Sequence, residues 1–143
     1  MIRDITTYNL ITCDINTSIE DICNKMYQHN IGIIPITDNN KIVGIITDRD
    51  IVIRGFDKEL KDIITYNVIS IDVNDSIDKA LNLLKENKIK RLLVKDKDIY
   101  IGIISISDII KSDHDKIKII DAIKTIFSVT PDNSGVEVDT FYL

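Results

Sequence analysis

The chain has 143 residues, 44% hydrophobic and 29% charged, the proportions of an ordinary soluble globular protein, which exclude disorder by composition and a large multidomain enzyme. Eighteen basic against 23 acidic side chains leave a formal charge of −5, which argues against a nucleic-acid partner, because such binding needs a basic surface that releases counterions. No apolar run approaches the roughly 18 residues needed to span a bilayer, and the opening Met1-Ile2-Arg3-Asp4-Ile5-Thr6-Thr7 lacks the apolar core of a signal peptide; a cytoplasmic protein with no membrane partner is expected.

In chain order, residues 10–13 read as a short extended segment. A helix follows, with Thr17 as its cap and Glu20 completing a capping box, and with Ile19, Ile22, Cys23 and Met26 at helical spacing. Residues 31–36 form an apolar run of strand length, Asp38-Asn39-Asn40-Lys41 a turn, and 42–46 a second strand. A shorter helix starts after Thr47. From residue 60 the whole series returns: the extended segment 68–71, a helix capped by Asp75 with Asp78, a strand led by Lys90-Arg91, the turn Asp96-Lys97-Asp98, the strand 99–104 and a helix after Ser105. Last come an amphipathic helix over 113–128, with Ile117, Ile120, Ile123 or Lys124, and Phe127 as its stripe, then a linker and an acidic, aromatic tail ending Phe141-Tyr142-Leu143. The tail is expected either to fold back onto a partner subunit or to fray.

Sliding the chain against itself by 58 residues makes the repetition explicit. Residues 2–52 align with 60–110 without a gap, and eighteen positions are identical, so the chain is a tandem duplication. Strands this apolar need cover on both faces, which a unit of about 50 residues hardly provides alone. Two units packed by pseudo-twofold symmetry are therefore expected. Cys13 and Cys23 align with Ile71 and Leu81 and read as small core hydrophobes. With His29 and His114 they lack the spacing of a metal site.

The element order, the paired Asp-Ile-x-Thr starts, and the ends Gly-Ile-Ile-Thr-Asp-Arg-Asp and Gly-Ile-Ile-Ser-Ile-Ser-Asp resemble a pair of cystathionine-beta-synthase (CBS) domains, a Bateman module. The resemblance covers residues 2 to 112. It implies an α+β fold of two strand-helix-strand-strand-helix units, at 1–58 and 59–112, followed by the helix 113–128 and the tail 129–143.

Thr47 with Asp50, and Ser105 with Asp108, place a hydroxyl and a carboxylate three residues apart at a helix start. That pattern is a capping box; it also offers a helix N-terminus to a phosphate and a carboxylate to a ribose diol. The resemblance implies the second use, with the Asp holding ribose. It further implies that a basic dipeptide before the middle strand reaches the phosphate of a ligand held by the other repeat's Asp. Lys90 and Arg91 occupy that position, whereas the first repeat has Gly32 and Ile33. By the same resemblance adenine would lie between the first extended segment and the middle strand, at Ile11, Cys13, Ile34 and Pro35, or at Ile69 and Ile71 with Leu92 and Leu93; these residue types suit a plain core equally.

The resulting expectation is a free-standing regulatory module, not an enzyme, since no nucleophile set, paired catalytic acids or metal cluster emerges. It would bind an adenosine-containing nucleotide, AMP or ATP, as a regulatory ligand between its repeats, need no other cofactor, form a homodimer, and pass its state to an unidentified regulated protein. The alternative is a ligand-free pair that only mediates dimerisation.

Overall fold

A computed structural model describes residues 1–55 and 57–128, together with the backbone of 130–131 and 137–138. The first repeat contains β1 (Cys13–Asp14), α1 (Ile19–His29), β2 (Ile33–Asp38), β3 (Lys41–Thr47) and α2 (Asp48–Arg54). After the single turn α3 (Leu60–Ile63), the second contains β4 (Ser70–Asp72), α4 (Ile77–Asn87), β5 (Arg91–Asp96), β6 (Ile99–Ser105) and α5 (Ile106–Lys111). Each repeat is an α+β unit with a three-stranded sheet in sequential order, its first pair parallel and its second antiparallel. The opening strands are shorter than the extended segments expected, because the ladder engages only Cys13 and Asp14 against Ile36 and Thr37, and 70–72 against Leu93, Val94 and Lys95. Asn39 and Asn40 both have positive φ, 48° and 62°, the conformation that lets a two-residue turn follow the twist of its strands.

The helix caps lie one residue later than expected. Ser18 and Ser76, not Thr17 and Asp75, accept the N–H groups of Asp21 and Lys79. The preceding turn causes the shift: the Thr17 N–H donates to the Asp14 carbonyl while Asp14 Oδ1 accepts the Asn16 N–H. Asp72, Asn74 and Asp75 repeat the arrangement.

The chain divides into two compact units, Asn9–Ile69, and Met1–Tyr8 with Ser70–Leu143, so the folded units and the sequence repeats are offset by a leader segment. In the first unit, Leu60, Ile63 and Ile64 join Cys13, Ile22, Met26, Ile34, Ile36 and Ile46 in one apolar core, and Thr65 exchanges both backbone hydrogen bonds with Ile45. In the second, Ile2 is fully buried, its N–H donates to Asp75 and that of Arg3 to Val73, and Thr7 pairs with Ile103. Glycine is required at both close approaches. A Cβ at Gly44 would lie 2.4 Å from the Thr65 oxygen, and one at Gly102 2.7 Å from the Thr7 oxygen.

The last helix, α6 (Lys116–Ile126), packs on α4 within the second unit. Its inward face is Ile119, Ala122 and Ile126; Ile117, expected in the stripe, is 81% exposed, and Ile120 is exposed too. Burial of that face sets the rotation, and exposed ion pairs flank it, Lys118 and Asp121 reaching Asp78 and Lys85 on α4 at 2.8 and 3.0 Å. His114 lies 2.8 Å from the other Asp78 oxygen. Among the described residues nothing in the first unit corresponds to α6, which explains a second correction: Leu81 is 3% exposed beside α6, whereas its counterpart Cys23 on α1 is exposed and is not a core residue. In the tail, Thr130–Pro131 pairs antiparallel with Glu137–Val138; Phe141, Tyr142 and Leu143 lie outside the described residues.

Candidate functional site

Both hydroxyl–carboxylate motifs stand where a hairpin strand becomes a helix, and both are complete capping boxes. The Thr47 hydroxyl donates to Asp50 Oδ2 at 2.8 Å and accepts the Asp50 N–H at 3.1 Å, while the Thr47 N–H donates to the same oxygen at 3.1 Å. Ser105 and Asp108 repeat this at 2.7, 3.2 and 2.8 Å. The two readings of the motif are therefore compatible only where the carboxylate keeps acceptor capacity beyond its cap.

That capacity differs. Asp50 Oδ1 receives Arg54 Nη2 at 2.5 Å across one helical turn. The residue corresponding to Arg54 is Ser112, whose hydroxyl donates instead to the Ile109 carbonyl. Asp108 Oδ1 thus has no hydrogen-bond donor among the described residues. Sequence reasoning missed Arg54, although its signal, a cation four residues after Asp50 with no equivalent in the second repeat, was present.

The helix starts differ as well, and this corrects the idea of an open N-terminus for phosphate. In α2 the first three N–H groups are all engaged: Asp48 donates to the Gly32 carbonyl, Arg49 to Asp48 Oδ1 and Asp50 to the Thr47 hydroxyl. In α5 the Ile106 N–H donates to the Lys90 carbonyl and that of Asp108 to Ser105. The Ser107 N–H between them has no acceptor among the described residues.

The basic dipeptide separates by strand alternation. Lys90 lies with its ammonium 4.7 Å from the centre of the Phe127 ring, a cation–π contact. Arg91 is the register partner of Ser105 on the adjacent strand, is partly buried, and its guanidinium makes no hydrogen bond or ion pair among the described residues. Ile33 occupies the equivalent place opposite Thr47. Within the second unit, hydroxyl, carboxylate, one open N–H and a cation therefore come from neighbouring backbone positions.

Of the apolar candidates, Cys13, Ile34, Pro35 and Ile71 are buried, while Ile11 and Ile69 remain partly exposed. Burial pushes the Cys13 thiol above its ordinary pKa, opposed by the nearby Lys25 ammonium, so Cys13 packs as a protonated thiol. Ile11, Cys13, Ile34, Pro35 and Ile69 belong to the unit Asn9–Ile69, and Ile71 to the other. Among the described residues no three His, Cys, Asp or Glu side chains are grouped to hold a metal ion, and no helix is long and apolar enough to cross a membrane.

Comparison with known proteins agrees with this architecture. YhcV of Bacillus subtilis, a CBS domain-containing protein, is 29% identical over 114 residues, covering 76% of this chain and 81% of its own. Inosine-5'-monophosphate dehydrogenase of Methanocaldococcus jannaschii is 33% identical over 111 residues, 76% of this chain but 22% of the enzyme. The crystal structure of the CBS domain pair of protein MJ0100, in complex with 5'-methylthioadenosine and S-adenosyl-L-methionine, superposes with a TM-score of 0.69 at 30% identity, covering 78% of this chain and 97% of that one. The sequence profile of the CBS domain matches twice, at residues 2–55 and 60–115. With two profile matches at the spacing of its duplication, and a sheet and helix order shared with solved pairs, the chain belongs to the CBS domain family.

Proposed function

We propose that this protein is a ligand-sensing regulatory module, not an enzyme, that binds an adenosine-containing small molecule through its hydroxyl–carboxylate motifs and relays the bound state to a partner protein in the cytoplasm. The observation that carries the reading is the second motif. Asp108 keeps one oxygen for a ribose diol, and Arg91 stands on the adjacent strand opposite Ser105 with a guanidinium suited to phosphate. The adenosine common to both ligands of the MJ0100 pair supports the ligand class, and Arg91 favours AMP or ATP within it. Ile11 and Ile69 offer accessible apolar surface to a base. The open Oδ1 of Asp108 supports a stronger ribose contact there, whereas the resemblance implies that the cation serves the ligand of Thr47 and Asp50.

The test is a thermal-shift screen of the full chain against AMP, ATP, adenosine, 5'-methylthioadenosine and S-adenosylmethionine, followed by calorimetry. A ligand at a hundred times its dissociation constant stabilises by about 2.7 kcal/mol, an easily measured shift. Silence across the set removes the proposal. A second reading, a ligand-free dimerisation protein, is favoured by the exposed Val52 and Ile53 on α2 and Ile110 on α5. Light scattering is expected to show a homodimer under either reading; dimer without any ligand shift selects the second.

A further inference from the structure

We propose that Arg54 is a latch that competes with ligand for Asp50 and, when displaced, loosens the segment 60–66. The inference rests on the ribose role proposed above for Asp50. An ionised carboxylate offers about four lone-pair positions. In Asp50 two are taken by the Thr47 N–H and hydroxyl, and a third by Arg54. One remains, and a ribose diol brings two O–H donors. Asp108 holds both Oδ1 positions open among the described residues, so the diol is received there directly. At Asp50 it is received in full only when Arg54 withdraws.

The structure gives Arg54 somewhere to go and something to release. It lines an open cavity of about 620 Å³ with Ile53, Lys58, Asp62 and Ile63. Asp62, which makes no ion pair among the described residues, supplies a second carboxylate in that cavity. In its present seat the same Nη2 also donates to the Ile63 carbonyl at 3.3 Å, so one guanidinium spans the last turn of α2 and the end of α3. Withdrawal removes that tie. The segment is then held by the side chains of Leu60, Ile63 and Ile64 and by the Thr65–Ile45 pairing. The second repeat, with Ser112 in this position, has no such device.

Amide hydrogen exchange and AMP calorimetry on the full chain test the latch. In the ligand-free protein, Arg54→Ala and Asp50→Asn should each raise exchange at the amides of Asp62, Ile64 and Thr65; failure of either overturns the latch. In an Asp108→Ala background, where Asp50 is the remaining diol acceptor, Arg54→Ala should tighten AMP binding roughly two- to fivefold, the scale of a half-exposed ion pair. Asp62→Ala should weaken it by a similar factor while leaving ligand-free exchange unchanged. Saturating AMP should accelerate exchange at the same amides. AMP binding in that background that is unmoved or weakened by Arg54→Ala overturns the latch alone. Absence of AMP binding in that background overturns the ribose reading of Asp50, and the competition falls with it.

Discussion

The two hydroxyl–carboxylate motifs descend from one sequence and fold alike, yet they differ in what remains after folding. Around Thr47 and Asp50 the cap, Asp48, Arg54 and the Gly32 carbonyl engage the first three N–H groups of α2 and all but one position of the carboxylate, and Ile33 stands opposite the hydroxyl. Around Ser105 and Asp108 the same cap forms, but a carboxylate oxygen and an N–H stay open and Arg91 stands opposite. A motif that caps a helix in both repeats is thus available for binding only where its neighbours leave it unsaturated. The helices beside the motifs diverge in parallel, α4 lying beneath α6 and α1 having no such cover within its unit.

The sharpest test of the helical contrast is Leu81→Ala against Cys23→Ala. Truncating the buried leucine should cost about 2–5 kcal/mol, whereas the exposed cysteine should change stability by less than about 0.5 kcal/mol; urea denaturation of the two variants measures the difference. Similar costs would mean that α6 is not what distinguishes the helices.

Next in size is the carboxylate contrast. Loss of a charged hydrogen-bond acceptor costs about 1.5–3 kcal/mol, so Asp108→Ala should weaken AMP roughly ten- to a hundredfold. Asp50→Ala should weaken it less; calorimetry showing the opposite order would reverse the ranking of the motifs. Arg91→Ala should weaken AMP about tenfold while leaving adenosine nearly unaffected. A double-mutant cycle then shows which carboxylate Arg91 serves: coupling to Asp108→Ala fits the strand register, and coupling to Asp50→Ala fits a cation lent to the other repeat.

The smallest effect is an acid limb in stability. Hydrogen bonds from Lys118 and then His114 hold the Asp78 carboxyl below its ordinary value of 3.8. A carboxylate depressed in the folded state stabilises fully above its unfolded pKa, and that contribution fades as pH falls through the folded value. Asp78→Asn should therefore lower stability slightly at neutral pH, where that contribution is present, and flatten the profile below about pH 4, so that the two proteins converge in acid.

The duplication makes most of this architecture readable from the residues alone. Repeated identities such as Gly44 with Gly102 and Asp50 with Asp108 fixed the element order, because the same local signals had to fold twice. What escaped depended on contacts distant in sequence or on single-copy residues. Ile117 and Ile119 both suit an amphipathic helix, and which turns inward depends on packing against α4, distant in sequence. Cys23 looked like core because its duplicate Leu81 is core, but burial there comes from a helix present once. Arg54 was visible as a cation one turn beyond Asp50, but its significance lies in an acceptor count that spacing does not provide.

The leader segments impose an order on folding. The unit Asn9–Ile69 is contiguous, so its contacts close over short loops. The other must bring Met1–Tyr8 back to Ser70 and beyond, closing a loop that contains the entire first unit. Loop-closure entropy grows only slowly with length, but non-local pairing slows folding considerably. As the chain leaves the ribosome, the first unit can assemble while Ile2, destined for the core of the second, waits for a partner not yet synthesised. Residues made before the first unit are among the last to find their place.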